Sequence, residues 1–439
     1  MFIDQDNLAA GLKGLSLFER LIAFCHGREV YVVGGAVRDA LIGVPVHDVD
    51  LIFPEDPTAL ARSFAKTHGG HWFWLDEERN QSRVVFKKGE ICTVFDFALF
   101  RASSLELDLL DRDFTINAIA LCLSADFTKT PLIDPAFGLE DLQNDLLRMV
   151  SKDAFTNDPL RMVKGVRHAT ALDLQIEKNT LGCMQAEVTE LYRVAPERIR
   201  QEVWKTLACE EAARGLLLLA ESLVGNYLFG NVFSGRSRAL AESLTVIRNC
   251  WCHLSRKQPV IRDWLAREIE QGLSCETLLL WAILLAQLDG DGNLPGRLAE
   301  EWLMSRKAKV YVNALAKIDE RTLKELDNIK LGSRAFAWWA HDYRIEPRLW
   351  LLALASIGAL QKDSSIELIC KWLPIVDKLD DQPPEELVDG HWLQHKLGLP
   401  PGPQMSRVLR LLRYAEIYGL VDSTESAREY LVHHYKNID

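Results

Sequence analysis

The heptapeptide HDVDLIF, residues 47–53, sets two aspartates one residue apart ahead of an apolar run. In a β-strand alternate side chains share a face, so Asp48 and Asp50 project from the same side, about 7 Å apart along the chain. Two carboxylates held together repel unless cations sit between them. Hard divalent ions with oxygen ligands, Mg2+ above all, are the natural neutralisers. A two-metal site of this kind holds a triphosphate and lowers the pKa of an attacking hydroxyl, which is what nucleotidyl transfer requires. A lone D-x-D is nonetheless common at strand ends without any role.

The stretch just upstream, VVGGAVRDALIG (32–43), gives that pair a context. YVV reads as a strand, Gly34-Gly35 as a turn and AVRDALIG as a helix, an arrangement that aims backbone N–H groups at a phosphate. Arg38, on the first helical turn, can reach the same oxygens; the competing reading is a surface pair with Asp39. No Gly-Lys-Ser/Thr follows, so this is not a Walker loop, and the three-glycine dinucleotide pattern is missing. Asp96 in VFDFALF (94–100) reads either as a third active carboxylate or as an edge-strand aspartate. DLLDRDFTINAIAL (108–121) adds Arg112, Asp113, Thr115 and Asn117; the last two read as ligand contacts or as hydrogen-bonders within a turn.

These residues need elements to position them. Residues 1–150 mix β-rich runs (VYVVGG, VDLIF, RVVFKK, CTVFDFALF, AIALCL) with helical stretches such as PTALARSFAKTHG, which predicts an α/β head. From about residue 151 strand signals disappear and apolar residues recur at helical spacing. The expected segments are a head (1–150), a neck (151–210), a helical body (211–380) and a helical tail (381–439).

A chain of 439 residues exceeds one ordinary core, and 48% apolar residues exclude a disordered chain. With a net charge of −11, any polyanion must be met by a local basic surface or through metal ions. Nine scattered cysteines and an opening without a basic, then apolar, leader suggest a reducing cytoplasm. The apolar run LLLWAILLA (278–286) is too short to span a bilayer, and no membrane role is expected. Cys250, Cys252 and His253 lack a second pair at zinc-ligand spacing and read as helix packing.

Taken in order, the motifs resemble the class II tRNA nucleotidyltransferase and bacterial poly(A) polymerase family of the polymerase-β-like superfamily. The resemblance is strong over the first two hundred residues and moderate over the last fifty. GGAVRD (34–39) with HDVDL (47–51) implies that Asp48 and Asp50 are the catalytic metal-binding aspartates, with Asp96 at the position of a third carboxylate. DLLDRDFTINAIAL is similar to the family's RDFTxNA element, which implies that Arg112 and Asp113 meet the nucleotide's ribose and phosphates, with Asn117 beside them. LIDPAFGLEDL (132–142) resembles the hinge between head and neck, although Phe137 stands where the family usually has the first of two glycines. The implied fold class is α+β: a nucleotidyltransferase head with a small mixed sheet, then an all-α neck, body and tail.

SKDAFTNDPLRMVKGVRHA (151–169) looks like the family's nucleotide-recognition helix, usually E-D-x-x-R. Here Asn157 takes the glutamate position, while Asp158 and Arg161 match. An i, i+3 pair shares a helical face, and as a surface salt bridge it is worth well under about 1 kcal/mol. The functional alternative is base selection. A carboxylate accepts from an exocyclic amine while a guanidinium donates to the ring nitrogen, the pattern offered by cytosine and adenine. Uracil and guanine present the opposite order and leave buried groups unpaired, at about 1–3 kcal/mol. The helix is therefore expected to prefer CTP and ATP, with Lys164, Arg167 and His168 continuing its face toward phosphates. VAPERIRQEVWKTL (194–207) resembles the next motif, with Glu197 and Arg198 bracing the neck.

Only FALFRASSLELDLLD separates Asp96 from Arg112. In this family a longer flexible loop there is tied to the switch from C to A addition, and its shortening to enzymes that stop after two cytidines. The expected activity is addition of CC to the tRNA 3′ end from CTP, with a separate A-adding enzyme acting downstream. Full CCA addition is the alternative, ahead of an A-adding enzyme, a poly(A) polymerase or a catalytically silent RNA-binding relative. SCETLLLWAILLAQLDGDGNLPG (274–296) resembles the start of an HD-type region, but Ala286 and Gln287 replace His-Asp, so no phosphohydrolase activity is expected. His341–Asp342 lacks partner histidines at helical spacing. In the tail, Pro400, Pro401 and Pro403 break a helix, and Arg407, Arg410 and Arg413 form either a tRNA-facing basic face or a solvated one.

Overall fold

The computed structural model describes residues 5–434 apart from 89–90, 124–126, 128–129, 291, 320, 323–345, 362–385 and 418. His341–Asp342 and the expected boundary at 380 lie outside the described residues. The chain divides into two compact units, Met1–Glu202 with Leu218–Gly230 and Val203–Leu217 with Asn231–Asp439.

The first unit is built on a six-stranded sheet ordered β3-β4-β5-β2-β1-β6. Its strands are β1 (Tyr31–Val33), β2 (Asp48–Phe53), β3 (His71–Asp76), β4 (Gln81–Lys88), β5 (Ile91–Leu99) and β6 (Ala120–Cys122). Only β2 and β5 pair in parallel; β1 with β2 and β6, and β4 with β3 and β5, are antiparallel, so the sheet is mixed as expected.

Alternation along β2 decides which face does what. Val49, Leu51 and Phe53 are buried on one side, whereas Asp48 and Asp50 are exposed on the other. The apolar side is closed by the helix Thr58–His68, whose Phe64 packs edge-on against Phe86 and Phe95 at centroid distances of 5.5 and 5.8 Å. Gly69, at φ 74°, ends that helix in the left-handed cap position. On the carboxylate side a second apolar cluster joins Val33, Ile52, Ala118 and Ala120 to Leu105 and Leu109 of the helix Leu105–Leu110. That helix covers one end of the face and leaves the aspartates open.

Helices Leu160–Ala171, Lys178–Glu187 and the start of Pro196–Ala208 complete this unit. The first buries Leu160, Met162, Val163, Val166 and Ala169. A methyl group at Gly165 would lie 2.9 Å from the Phe114 ring, so this glycine lets the RDFTINA segment seat on the helix.

The second unit is mostly helical rather than all-α: Glu268–Glu270 and Leu273–Ser274 pair as a small antiparallel sheet, and in the first unit Gln175–Ile176 pairs with Leu146–Leu147 beyond the expected head. Val232–Lys257, Cys275–Leu288 and Pro347–Leu360 pack together, with Trp251 Nε1 donating to Ser356 Oγ at 3.0 Å and Trp281 stacked on Trp302. Cys250 is buried in this packing while Cys252 and His253 are exposed, so the three do not converge. Gln287 accepts from Ser243 Oγ at 3.0 Å in place of any metal-ligand role. Residues 388–431 carry their own small core of Val388, Leu393, Leu399, Val408, Leu412 and Leu431. Arg407 and Arg410 are exposed there, whereas Arg413 is half-buried, because a three-residue step drifts around a 3.6-residue helix. No described helix is long and apolar enough to cross a membrane.

Candidate active site

Across the open face one row of the sheet register runs Phe73, Arg83, Asp96, Asp50, Val33. Asp48 lies one step along β2, opposite Val94. Among the described residues neither Asp48 nor Asp50 accepts a hydrogen bond, so all four carboxylate oxygens are free. Asp50 is exposed on this face, yet densely surrounded by protein. Burial within that mass pushes its carboxyl above the ordinary value, Asp96 and Asp48 push the same way, and Arg112 and Arg101 oppose them. A carboxylate pair in this state is a cation's donor set, because a divalent charge reverses the repulsion. Enzymes of the nucleotidyltransferase family use a divalent cation, and the Asp48/Asp50 pair fits it.

Asp96 differs from that pair. It is 8% exposed, and Arg83 binds both its oxygens, Nε to Oδ1 and Nη2 to Oδ2, each at 2.8 Å. Arg83 did not emerge from motif reading, although the signal exists. A hairpin pairing Lys88 with Ile91 sets Arg83 opposite Asp96.

Gly34 forms the turn out of β1 at φ 71°, a conformation that favours glycine. A methyl group there would lie 3.3 Å from Arg112 Nη1 and 3.4 Å from Asp50 Oδ2, so the turn passes directly beside the acid cluster. Gly35 opens the helix Gly35–Leu41, and Arg38 on it is buried. Arg38 donates through Nε to Asp39 Oδ1 at 2.8 Å and through Nη1 to Asn117 Oδ1. Asn117 Nδ2 in turn donates to Asp113 Oδ1 at 3.0 Å. The Arg38–Asp39 pair thus forms in the interior, as one end of a chain that ties this helix to the RDFTINA segment.

Burial raises the Asp113 carboxyl, but the Lys164 charge, the Asn117 and Phe114 donors and Arg161 outweigh it and hold the carboxyl below its usual range. Arg112 donates to Asp108 Oδ1 at 3.1 Å, and Asp108 Oδ2 accepts the Arg101 N–H at 2.7 Å. Arg112 Nε is buried with no hydrogen-bond partner among the described residues. Thr115 turns away from the cleft and donates to Asp141 Oδ2 at 2.7 Å.

The recognition segment departs from the expected geometry. Asp158 and Arg161 do not form an i, i+3 helical pair: a short helix ends at Asn157, and Asp158 is extended at φ −142°, ψ 96°. Pro159 is the cause, since its ring disfavours helical conformation in the residue before it. Asp158 accepts the Leu160 N–H at 3.2 Å and pairs with Arg198 at 3.5 Å, which gives Arg198 its bracing role. Arg161 is buried and donates to the carbonyls of Asp111 (2.7 Å), Arg112 (3.2 Å) and Ala154 (3.4 Å). Arg167 pairs with Glu202 at 2.5 Å and contacts His168 Nε2 at 3.1 Å, so its guanidinium is held inside the neck.

Phe137 occupies a left-handed backbone position, φ 60° and ψ 33°, which explains why glycine is usual there. At Gly138 a methyl group would lie 2.1 Å from the Thr115 carbonyl oxygen, so the second glycine admits no side chain.

A small mixed sheet with an exposed aspartate pair beside a strand-turn-helix is a nucleotidyltransferase head of the polymerase-β type. Residues 30–148 match the model of the poly A polymerase head domain, and 173–233 that of the probable RNA and SrmB-binding site of polymerase A. A CC-adding tRNA nucleotidyltransferase of Geobacter sulfurreducens is 32% identical, with 92% of each chain covered. An A-adding enzyme of Deinococcus radiodurans is 31% identical over 91% of this chain and 94% of its own. The solved complex of a CCA-adding enzyme with ATP superposes with a TM-score of 0.67 at 21% identity, covering 98% of both chains. The chain belongs to the CCA-adding tRNA nucleotidyltransferase and poly(A) polymerase family, and it is an enzyme of that family.

Proposed function

We propose that this enzyme adds two cytidines to the 3′ end of tRNA and stops. The 3′-hydroxyl attacks the α-phosphate of CTP, the bond to the β-phosphate breaks, and pyrophosphate leaves. Asp48 and Asp50 would hold Mg2+, which when bound would neutralise triphosphate charge and lower the pKa of the attacking hydroxyl. Arg112, anchored to Asp108 with its buried Nε unpartnered and Nη1 beside Gly34, is the cation placed to meet the nucleotide. Asp158 accepts from the cytosine amine, with the Arg198 guanidinium beside it, while Arg161 holds the backbone of the RDFTINA segment in place. Free cysteines throughout the described residues fit a reducing, cytoplasmic setting.

One observation carries the CC reading. β5 ends at Leu99 and only five residues separate it from the helix Leu105–Leu110, whose Leu105 and Leu109 are already in the core. The connection has no length for a mobile lever. The CC-adding relative named above supports this, and a CCA-adding enzyme of Leuconostoc mesenteroides at 28% identity keeps full addition as the outcome to test against.

The experiment is single-nucleotide gel analysis of tRNA transcripts lacking CCA, with Mg2+ and CTP, ATP or both. Arrest after two cytidines with ATP present is expected, and leaves the last step to a separate A-adding enzyme. A terminal adenosine overturns the CC reading, and long tRNA-independent ATP addition would indicate a poly(A) polymerase.

A further inference from the structure

We infer that Arg83 is a positioning residue of the active centre: it holds Asp96 off the cation, so that Asp48 and Asp50 alone are the protein's metal ligands. The inference rests on the nucleotidyltransferase reading and deepens it.

The argument begins with lone pairs. A carboxylate gripped by an arginine fork has one lone pair of each oxygen committed to the guanidinium, and this bidentate, charge-assisted pairing fixes the orientation of the carboxylate head. Asp96 is in that state, with two 2.8 Å bonds to Arg83 from the neighbouring strand, whereas Asp48 and Asp50 accept no hydrogen bond among the described residues.

Charge gives the reason. Three carboxylates in neighbouring register positions amount to −3, while one divalent cation supplies +2. Arg83 cancels the Asp96 charge, leaving the Asp48/Asp50 pair, part of whose charge Arg112 and Arg101 offset, to meet the cation. It also fixes the Asp96 head, which lies directly across from Asp50 in the β2–β5 pair and would otherwise be free to swing into the cation's position. Both residues project from the same face of a continuous hairpin, so neither reaches the other by loop movement.

The test is Mn2+ binding to the nucleotide-free enzyme, followed by electron paramagnetic resonance, with melting curves to confirm the fold. Arg83→Met releases one carboxylate and removes one positive charge, and Mn2+ should bind about tenfold tighter. Arg83→Met combined with Asp96→Asn removes the pair without changing net charge, and its Mn2+ affinity should return to within about twofold of wild type. If the double variant instead loses Mn2+ as Asp50→Asn does, Asp96 is a ligand and the inference is overturned. Unchanged affinity in Arg83→Met overturns it as well. Should Asp50→Asn leave Mn2+ binding intact, the aspartate-pair site itself fails, a distinct result.

Discussion

The head and the neck treat their charged groups in opposite ways. On β2, Asp48 and Asp50 are left without hydrogen-bond partners on an open face. In the neck, Asp158 is braced by Arg198, Arg161 by three carbonyls and Arg167 by Glu202. Chemistry on a triphosphate needs charge that stays unbalanced until substrate and cation arrive. Choosing a base needs groups whose orientation is fixed beforehand, because a mobile side chain adapts to the wrong partner.

The contrast breaks most sharply in the head. Asp48→Ala or Asp50→Ala should lower cytidine incorporation at least about 10^3-fold with an unchanged circular dichroism spectrum, and retained turnover by either pure variant removes the site. In the neck the effect should move from rate to stability. Arg161→Ala leaves the Asp111 and Arg112 carbonyls unpaired and should cost about 1–3 kcal/mol in urea unfolding. Asp158→Ala should cost less than about 1 kcal/mol, because its pair is partly exposed, yet relax the preference for CTP over UTP. Equal stability losses in the two variants would erase the distinction.

A third prediction uses acidity. With the Asp50 carboxyl raised by burial and by Asp96, its protonated form favours the cation-free fold. That contribution is complete below the unfolded carboxyl's range and is lost as pH rises through the raised value. A divalent cation binds the ionised form, so Mn2+ should raise Tm more at about pH 7.5 than at about pH 5, and Asp50→Asn should abolish the difference. The same gain at both values would show that Asp50 is not part of the cation site.

A change of the opposite sign belongs to the hinge between the two regions. Phe137 is 71% exposed in a left-handed conformation, so it gives up little burial and bears the backbone strain. Phe137→Gly should stabilise by about 1 kcal/mol in the same urea experiment, and a loss of stability would mean that the ring is held by contacts stronger than the strain.

Much of the head was legible in the sequence because its signals are local. Period-two alternation in DVDLIF separates the acid face from the apolar face, and GG after YVV marks the turn that brings Arg112 and Asp50 together. The mixed sheet followed from the family resemblance. What escaped was set by long-range pairing. The bonds from Arg161 to Asp111 and Arg112 span about fifty residues of chain, and no spacing rule announces them. Pro159 was visible, but its effect on Asp158 was overlooked in favour of a motif spelled as one helix. The Arg38–Asp39 pair was foreseen as a surface alternative, yet it is interior, because Asn117 extends it into a buried chain.

Asp108, with no exposed surface, joins the Arg101 N–H to the Arg112 guanidinium. In engineering terms this staple divides the segment after β5 into graftable and ungraftable parts. An insertion beside exposed Ser103, ahead of the Ser104 hydroxyl that caps the helix by accepting the Leu107 N–H, lengthens the bend while Asp108 keeps its place on the helix. An insertion inside Leu105–Asp111 rotates Asp108 away and strands a buried charge. A lever borrowed from a longer-looped relative therefore has one tolerant address in this chain, beside Ser103.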